Sequence, residues 1–163
     1  MRMTKQYTVK NILAGCLLLA IAFPAVQAAA DDYGAPGNAL AVTRTIKITA
    51  LESMKWRPSR IDVRPGQTVK FVISNPSTQN SHEFLIDTAS GQQAYEARVE
   101  QDPGATKLLA NTTNGITIPP ATTRTFIWHF PDHTGTLQYA CHEPLHFAAG
   151  MIGEIHITPA APK

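Results

Sequence analysis

Tyr139-Ala140-Cys141-His142-Glu143-Pro144-Leu145-His146-Phe147-Ala148-Ala149-Gly150-Met151 is the stretch on which the reading of this chain turns. A cysteine, a histidine and a methionine follow one another at intervals of five residues. Before the stretch, Leu137, Tyr139 and Cys141 alternate with their neighbours. After it, Met151, Gly153, Ile155 and Ile157 share one face, with Glu154 and His156 on the other. A period of two marks a strand with one buried face. The stretch is therefore a loop between two strands. Cys141 ends the first, Met151 begins the second, and His146 lies in the connection. Thiolate, imidazole and thioether are donors suited to a transition metal.

Working outward, the same alternation recurs along the chain. Ile46, Ile48 and Ala50 alternate with polar residues, as do Ile61 and Val63, and then Val69, Phe71 and Ile73. Met54 and Trp56 precede Pro58, where an edge irregularity or bend is expected. Arg64-Pro65-Gly66-Gln67 carries proline and glycine in turn-forming order. His82 resumes a strand in phase with Phe84 and Ile86, and Phe126, Trp128 and Phe130 form an aromatic face. Many short strands with regular turn signals predict an all-β, Greek-key antiparallel sandwich. Residues 87–115 break the rhythm. Residues 92–101 favour helix and Asp102-Pro103-Gly104 would stop one, so a short helical insertion is expected around 88–115.

The 163 residues suffice for one domain. Arg2, Lys5 and Lys10 precede an apolar run at 12–23, and small residues then follow Pro24. This is the anatomy of a secretory signal peptide at 1–28, with a flexible lead-in at 29–42 and the domain at 43–163. Leu13-Ala14-Gly15-Cys16 spells a lipoprotein cleavage consensus, but the main apolar run follows Cys16 instead of preceding it, which favours soluble export to the periplasm. Removing 1–28 takes away three of the 14 basic residues and none of the 12 acidic ones. The remaining 11 against 12 give a net charge near −1, which points to neither nucleic acid nor a membrane surface. Export also leaves Cys141 as the only cysteine, without an internal disulfide partner. Beside a loop rich in His and Pro, metal ligation explains it better than inert burial.

Alternation places His82, Cys141 and Met151 on the apolar sides of their strands. With His146 they can converge at one end of the sandwich. Two imidazoles, a thiolate and a weak thioether are the ligand set of a mononuclear copper electron-transfer site. Zinc fits less well, because a structural zinc site takes four Cys or His ligands in paired spacings. A nucleophilic Cys–His pair lacks any oxyanion motif. His142 should face away from Cys141, with solvent-exposed surface as its default and accessory copper binding as the alternative. His129, His133 and His156 read as structural or surface residues. Met54 reads as a packed methionine, with an accessory soft ligand as the alternative.

From about residue 46 to 158 the sequence resembles the cupredoxins, the type 1 blue copper proteins. The resemblance rests on Cys141, Pro144, His146, Gly150 and Met151 in the arrangement C-x-x-P-x-H-x-x-x-G-M. Upstream it rests on P-x-x-I-x-V-x-P-G-x-x-V-x-F from Pro58 to Phe71, on Asn75 and on His82-Glu83-Phe84. The loop is similar in spacing to that of rusticyanin, and the whole pattern to periplasmic cupredoxins of copper tolerance. The resemblance implies one copper ion, with His82, Cys141 and His146 as equatorial ligands and Met151 as the axial one. It implies a monomeric single-electron carrier, not an enzyme, whose partner is a cytochrome or oxidase. A copper-handling protein that sequesters or delivers the ion is the alternative. The chain departs from the family in having Glu83 where many relatives have Asn, and Leu145 where many have Gly.

Overall fold

In the computed structural model, which describes residues 33–102 and 112–159, ten strands form two five-stranded sheets. The first sheet runs β1 (Ala35–Pro36), β8 (Thr122–His129), β5 (Thr68–Asn75), β2 (Arg44–Leu51), β3 (Lys55–Arg57). The second runs β4 (Arg60–Val63), β10 (Ile152–Ile157), β9 (Gly135–Ala140), β6 (His82–Asp87), β7 (Gly115–Ile118). The expected signal peptide, including Cys16, and the Pro103-Gly104 end of the insertion lie outside the described residues.

The alternating positions are the ones that meet between the sheets. Ile48, Phe71, Ile73, Phe84, Ile86, Trp128, Tyr139 and Ile155 have no exposed surface. At roughly 1.5–3 kcal/mol for each large apolar side chain removed from water, this core dominates the stability of the fold. The sandwich is as expected, but its sheets are mixed, not wholly antiparallel. β2 pairs in parallel with β5, and β4 with β10. Strand direction leaves no mark on side-chain alternation, so the pattern read from the sequence was blind to it.

Two further differences concern the chain outside the main strands. The described part of the lead-in is not loose: β1 pairs with β8, and Tyr33 stacks on Trp128 and accepts a hydrogen bond from its indole N–H. The insertion carries one helix, α1 (Ala89–Gln101), which begins three residues before the expected start. Thr88 caps it by accepting the N–H of Gly91 on Oγ1 at 3.0 Å. Its buried positions are Gln92, Tyr95 and Val99. With only three buried positions, one of them Gln92, the helix has little hydrophobic periodicity to read. Tyr95 and Val99 pack with Leu85 in a second, smaller core on the outer side of β6.

One contact in the sandwich is unusually close. Gly153 lies opposite Tyr139 in the β9–β10 ladder, where a Cβ would run into the phenol ring. The ring is fully buried, and its hydroxyl donates to the Pro58 carbonyl. Gly153→Ala should therefore lower the unfolding free energy by about 1–3 kcal/mol, an overpacking cost. Denaturant titration measures this, and a variant as stable as the parent would mean the ring can move aside.

Candidate metal centre

The candidate donors occupy one end of the second sheet because β6, β9 and β10 are consecutive neighbours there. His82 is the first residue of β6, Cys141 follows the last residue of β9, and Met151 precedes the first residue of β10. The Cys141 N–H donates to the Met151 carbonyl at 3.2 Å, extending the β9–β10 ladder by one step. The nine residues between fold back in tight turns. His146 N–H donates to the Glu143 carbonyl, and Met151 N–H to the His146 carbonyl, both at 2.9 Å. Gly150, at φ +78°, adopts the left-handed conformation that ends this turn without steric cost.

Three of the four candidate side chains, His82, Cys141 and His146, lie together. Cys141 Sγ lies 3.3 Å from His146 Nδ1 and 3.9 Å from His82 Nδ1, and the three donor atoms all fall within 4.8 Å of one another. Metal–ligand bonds of about 2.0–2.3 Å in a trigonal arrangement put nitrogen and sulfur about 3.8 Å apart. The spacing thus fits an ion held by all three. Cys141 and Met151 are fully buried, and His82 and His146 are nearly so. His146 also lines an open polar cleft with Gln79, Asn80, Ser81 and Glu143, so its ring is the donor nearest to solvent.

Burial decides the charge states in the absence of metal. It pushes the Cys141 thiol up to about 12, against the opposing pull of backbone N–H groups from Glu83 and Glu143. The Glu83 N–H donates to Sγ at 3.2 Å. Burial and then the neighbouring His146 bring His82 down to about 4, and burial lowers His146 as well. Both imidazoles are therefore neutral at pH 7 and have a lone pair to give. His82 Nε2 is buried with no hydrogen-bond partner among the described residues.

The surrounding groups hold the backbone more than the donors. Trp56 Nε1–H donates to the Met151 carbonyl at 3.1 Å, and Lys55 Nζ donates to the carbonyls of Ala149 and Gly150. Asn75 Nδ2 donates to the carbonyls of Asn80, Ile118 and Pro119, fixing the loop that leads into His82. The Glu83 carboxyl lies near Glu143, the His142 backbone N–H and Glu96 of α1. Glu83 is 1 % exposed, and burial raises its carboxyl to about 8.

His142 departs from its expected place. It faces away from Cys141, but it is wholly buried beneath α1, with Nδ1 2.7 Å from Glu96 Oε2 and Nε2 2.7 Å from Gln92 Oε1. Neither the surface position nor free accessory binding describes it. Met54 packs against the core. His129 Nδ1 pairs with Thr68 Oγ1, and His156 Nε2 with Glu154. Gln92 and Glu96 did not emerge from the sequence as relevant to the site. Their i, i+4 spacing on one helix face was the available signal.

Comparison with known proteins agrees with this geometry. Residues 42–158 match the family described as copper binding proteins, plastocyanin/azurin family. The copper-resistant cuproprotein CopI of Rubrivivax gelatinosus is 32% identical over 130 residues, covering 76% of this chain and 72% of the relative. CopI of Pseudomonas aeruginosa is 24% identical, covering 90% and 96%. Among solved structures, auracyanin B superposes with a TM-score of 0.62 at 16% identity, over 80% of this chain and 97% of that one. Auracyanin A, a "blue" copper protein from Chloroflexus aurantiacus, does so with 0.57 at 25%, over 70% and 98%. Fold and donor set together define a cupredoxin. The chain belongs to the plastocyanin/azurin family of copper-binding proteins, and its cofactor is copper in a site of the type 1 kind.

A protonated thiol at the centre has a measurable consequence. Because its folded-state pKa lies far above neutrality, a metal bound as the thiolate must displace that proton. Titrating copper-free protein with Cu(I) at pH 7 in a pH-stat should release about one proton per ion, with the neutral imidazoles releasing none. Binding without proton release would exclude a thiolate–metal bond.

Proposed function

We propose that this protein is an exported type 1 copper protein that carries single electrons, and that His82, Cys141, His146 and Met151 are the residues that would hold the ion. The observation that carries the reading is the buried convergence of two neutral imidazoles on one thiol, with 3.3 and 3.9 Å separations. When bound, copper supplies a one-electron couple between Cu(I) and Cu(II). The protein's part is to hold the donors still. His82, Cys141 and Met151 sit at the ends of adjacent paired strands, so the site can serve both oxidation states with little rearrangement. Burial excludes water, and the His146 ring beside the open cleft is the natural exit for an electron. In this reading residues 1–28 are a signal peptide, 29–42 a lead-in and 43–163 the cupredoxin domain. The mature protein is a periplasmic monomer without enzymatic activity of its own. Its partner is a redox protein such as a cytochrome or oxidase.

A second reading has its own support. The relatives described as copper-resistant cuproproteins favour sequestration or delivery of copper, with a copper-handling protein as partner. The two readings share one site and differ in what leaves it, an electron or the ion.

The decisive spectrum is that of residues 29–163 with one equivalent of Cu(II), beside Cys141→Ser. An intense visible band that disappears in the serine variant is the expected outcome. Folded, copper-loaded protein without that band would sink the type 1 assignment. The roles then separate by function: fast reversible exchange with a cytochrome supports the carrier. Growth loss confined to high copper after deletion, without such exchange, supports copper handling.

A further inference from the structure

Helix α1 meets the donor loop at His142. His142 is held on four sides: Gln92 and Glu96 take its two ring nitrogens, Phe147 stacks on it at 4.7 Å and 17°, and Tyr95 tilts against it at 4.6 Å. The orientation of Gln92 is determined by its own bonds. Its amide NH2 donates to the carbonyls of Leu85 at 2.9 Å and Gln138 at 3.3 Å, leaving Oε1 to face the imidazole. Leu85 lies in β6 and Gln138 in β9, the strands that present His82 and Cys141. His142 follows Cys141 in sequence, and Phe147 follows His146. Their stacked rings therefore join the residues immediately after two of the donors.

An apolar side chain would fill the position of His142 at less desolvation cost. With Nε2–H donating to Gln92 Oε1, the Nδ1–Glu96 contact is closed by a proton that the two groups share. What such a network adds is a single orientation. We propose that Gln92 and Glu96 are positioning residues for the copper site, acting through His142 to hold the spacing of Cys141 and His146 before and after copper enters. The helical insertion is on this view a brace for the donor loop. The inference rests on the ligand set proposed above, and its test includes a measurement that needs no copper.

In copper-free protein, Gln92→Ala and Glu96→Ala should speed hydrogen exchange at the His146, Ala149, Gly150 and Met151 amides about tenfold, the factor equivalent to one lost buried hydrogen bond. Exchange in β2, β5 and β8 should not change. In copper-loaded protein, both variants should keep one ion per chain but alter the relative intensities of the thiolate-to-copper bands and the reduction potential. Glu96→Gln, whose amide can still pair with Nδ1, should keep the parent values. In a His142→Phe background, Glu96→Ala should have no further effect. Parent-like loop exchange and spectra in both alanine variants would overturn the proposal. So would faster exchange throughout the sandwich, or an equal effect of Glu96→Ala without His142. If the parent itself binds copper without a thiolate band, the ligand set fails, and loop exchange alone still decides for or against the brace.

Discussion

The 3.2 Å hydrogen bond from the Cys141 N–H to the Met151 carbonyl is the constraint on which the site depends. It makes the donor loop a continuation of the β9–β10 ladder instead of an excursion from it. With both ends of the loop paired, the nine residues between must close on themselves, and they do so in turns that bring His146 back to the thiol. The Met151 carbonyl also accepts from Trp56 of the other sheet, so the same atom ties the loop to both layers. Two acceptor lone pairs on one carbonyl thus couple the donor geometry to the packing of the whole sandwich.

Electrostatics then explains why a thiolate at this site is coupled to a bound ion. The interior end of the second sheet holds a neutral thiol, two neutral imidazoles and a carboxyl raised by burial. No side-chain cation approaches Sγ among the described residues, and the backbone N–H groups of Glu83 and Glu143 only partly favour the thiolate. A metal cation is the charge that makes a thiolate stable there, and the soft sulfur in turn favours copper among the common ions. The donors and the low dielectric around them are two parts of one requirement.

Much of this was legible in the sequence because alternation is a local signal. The phase of Leu137, Tyr139 and Cys141, and that of Met151, Ile155 and Ile157, settled which way the donors face without knowledge of sheet order. Two features were not legible. The parallel pairing of β2 with β5 and of β4 with β10 depends on which strands meet, and side-chain period carries no record of that. The burial of His142 depends on α1 crossing over it. Alternation correctly turned His142 away from copper, but the outer face of a sheet is exposed only until another element covers it. Gln92 and Glu96 supply much of that cover with polar side chains, so hydropathy could not announce it.

Leu145 marks where folding stops accounting for the loop. Its φ of +72° lies in the left-handed region, which costs a non-glycine residue roughly 1–2 kcal/mol. Buried contacts often offset such strain, but Leu145 is 75% exposed. A glycine at this position would avoid the strain altogether. Here the leucine projects beside His146, next to Pro144 and Ala148, along a shallow groove that α1 closes with Val99, Glu96 and Glu100. The inner side of His146 is thus determined by the sheet and the donors. The outer side carries a strained, solvent-facing apolar residue that neither packing nor backbone preference requires.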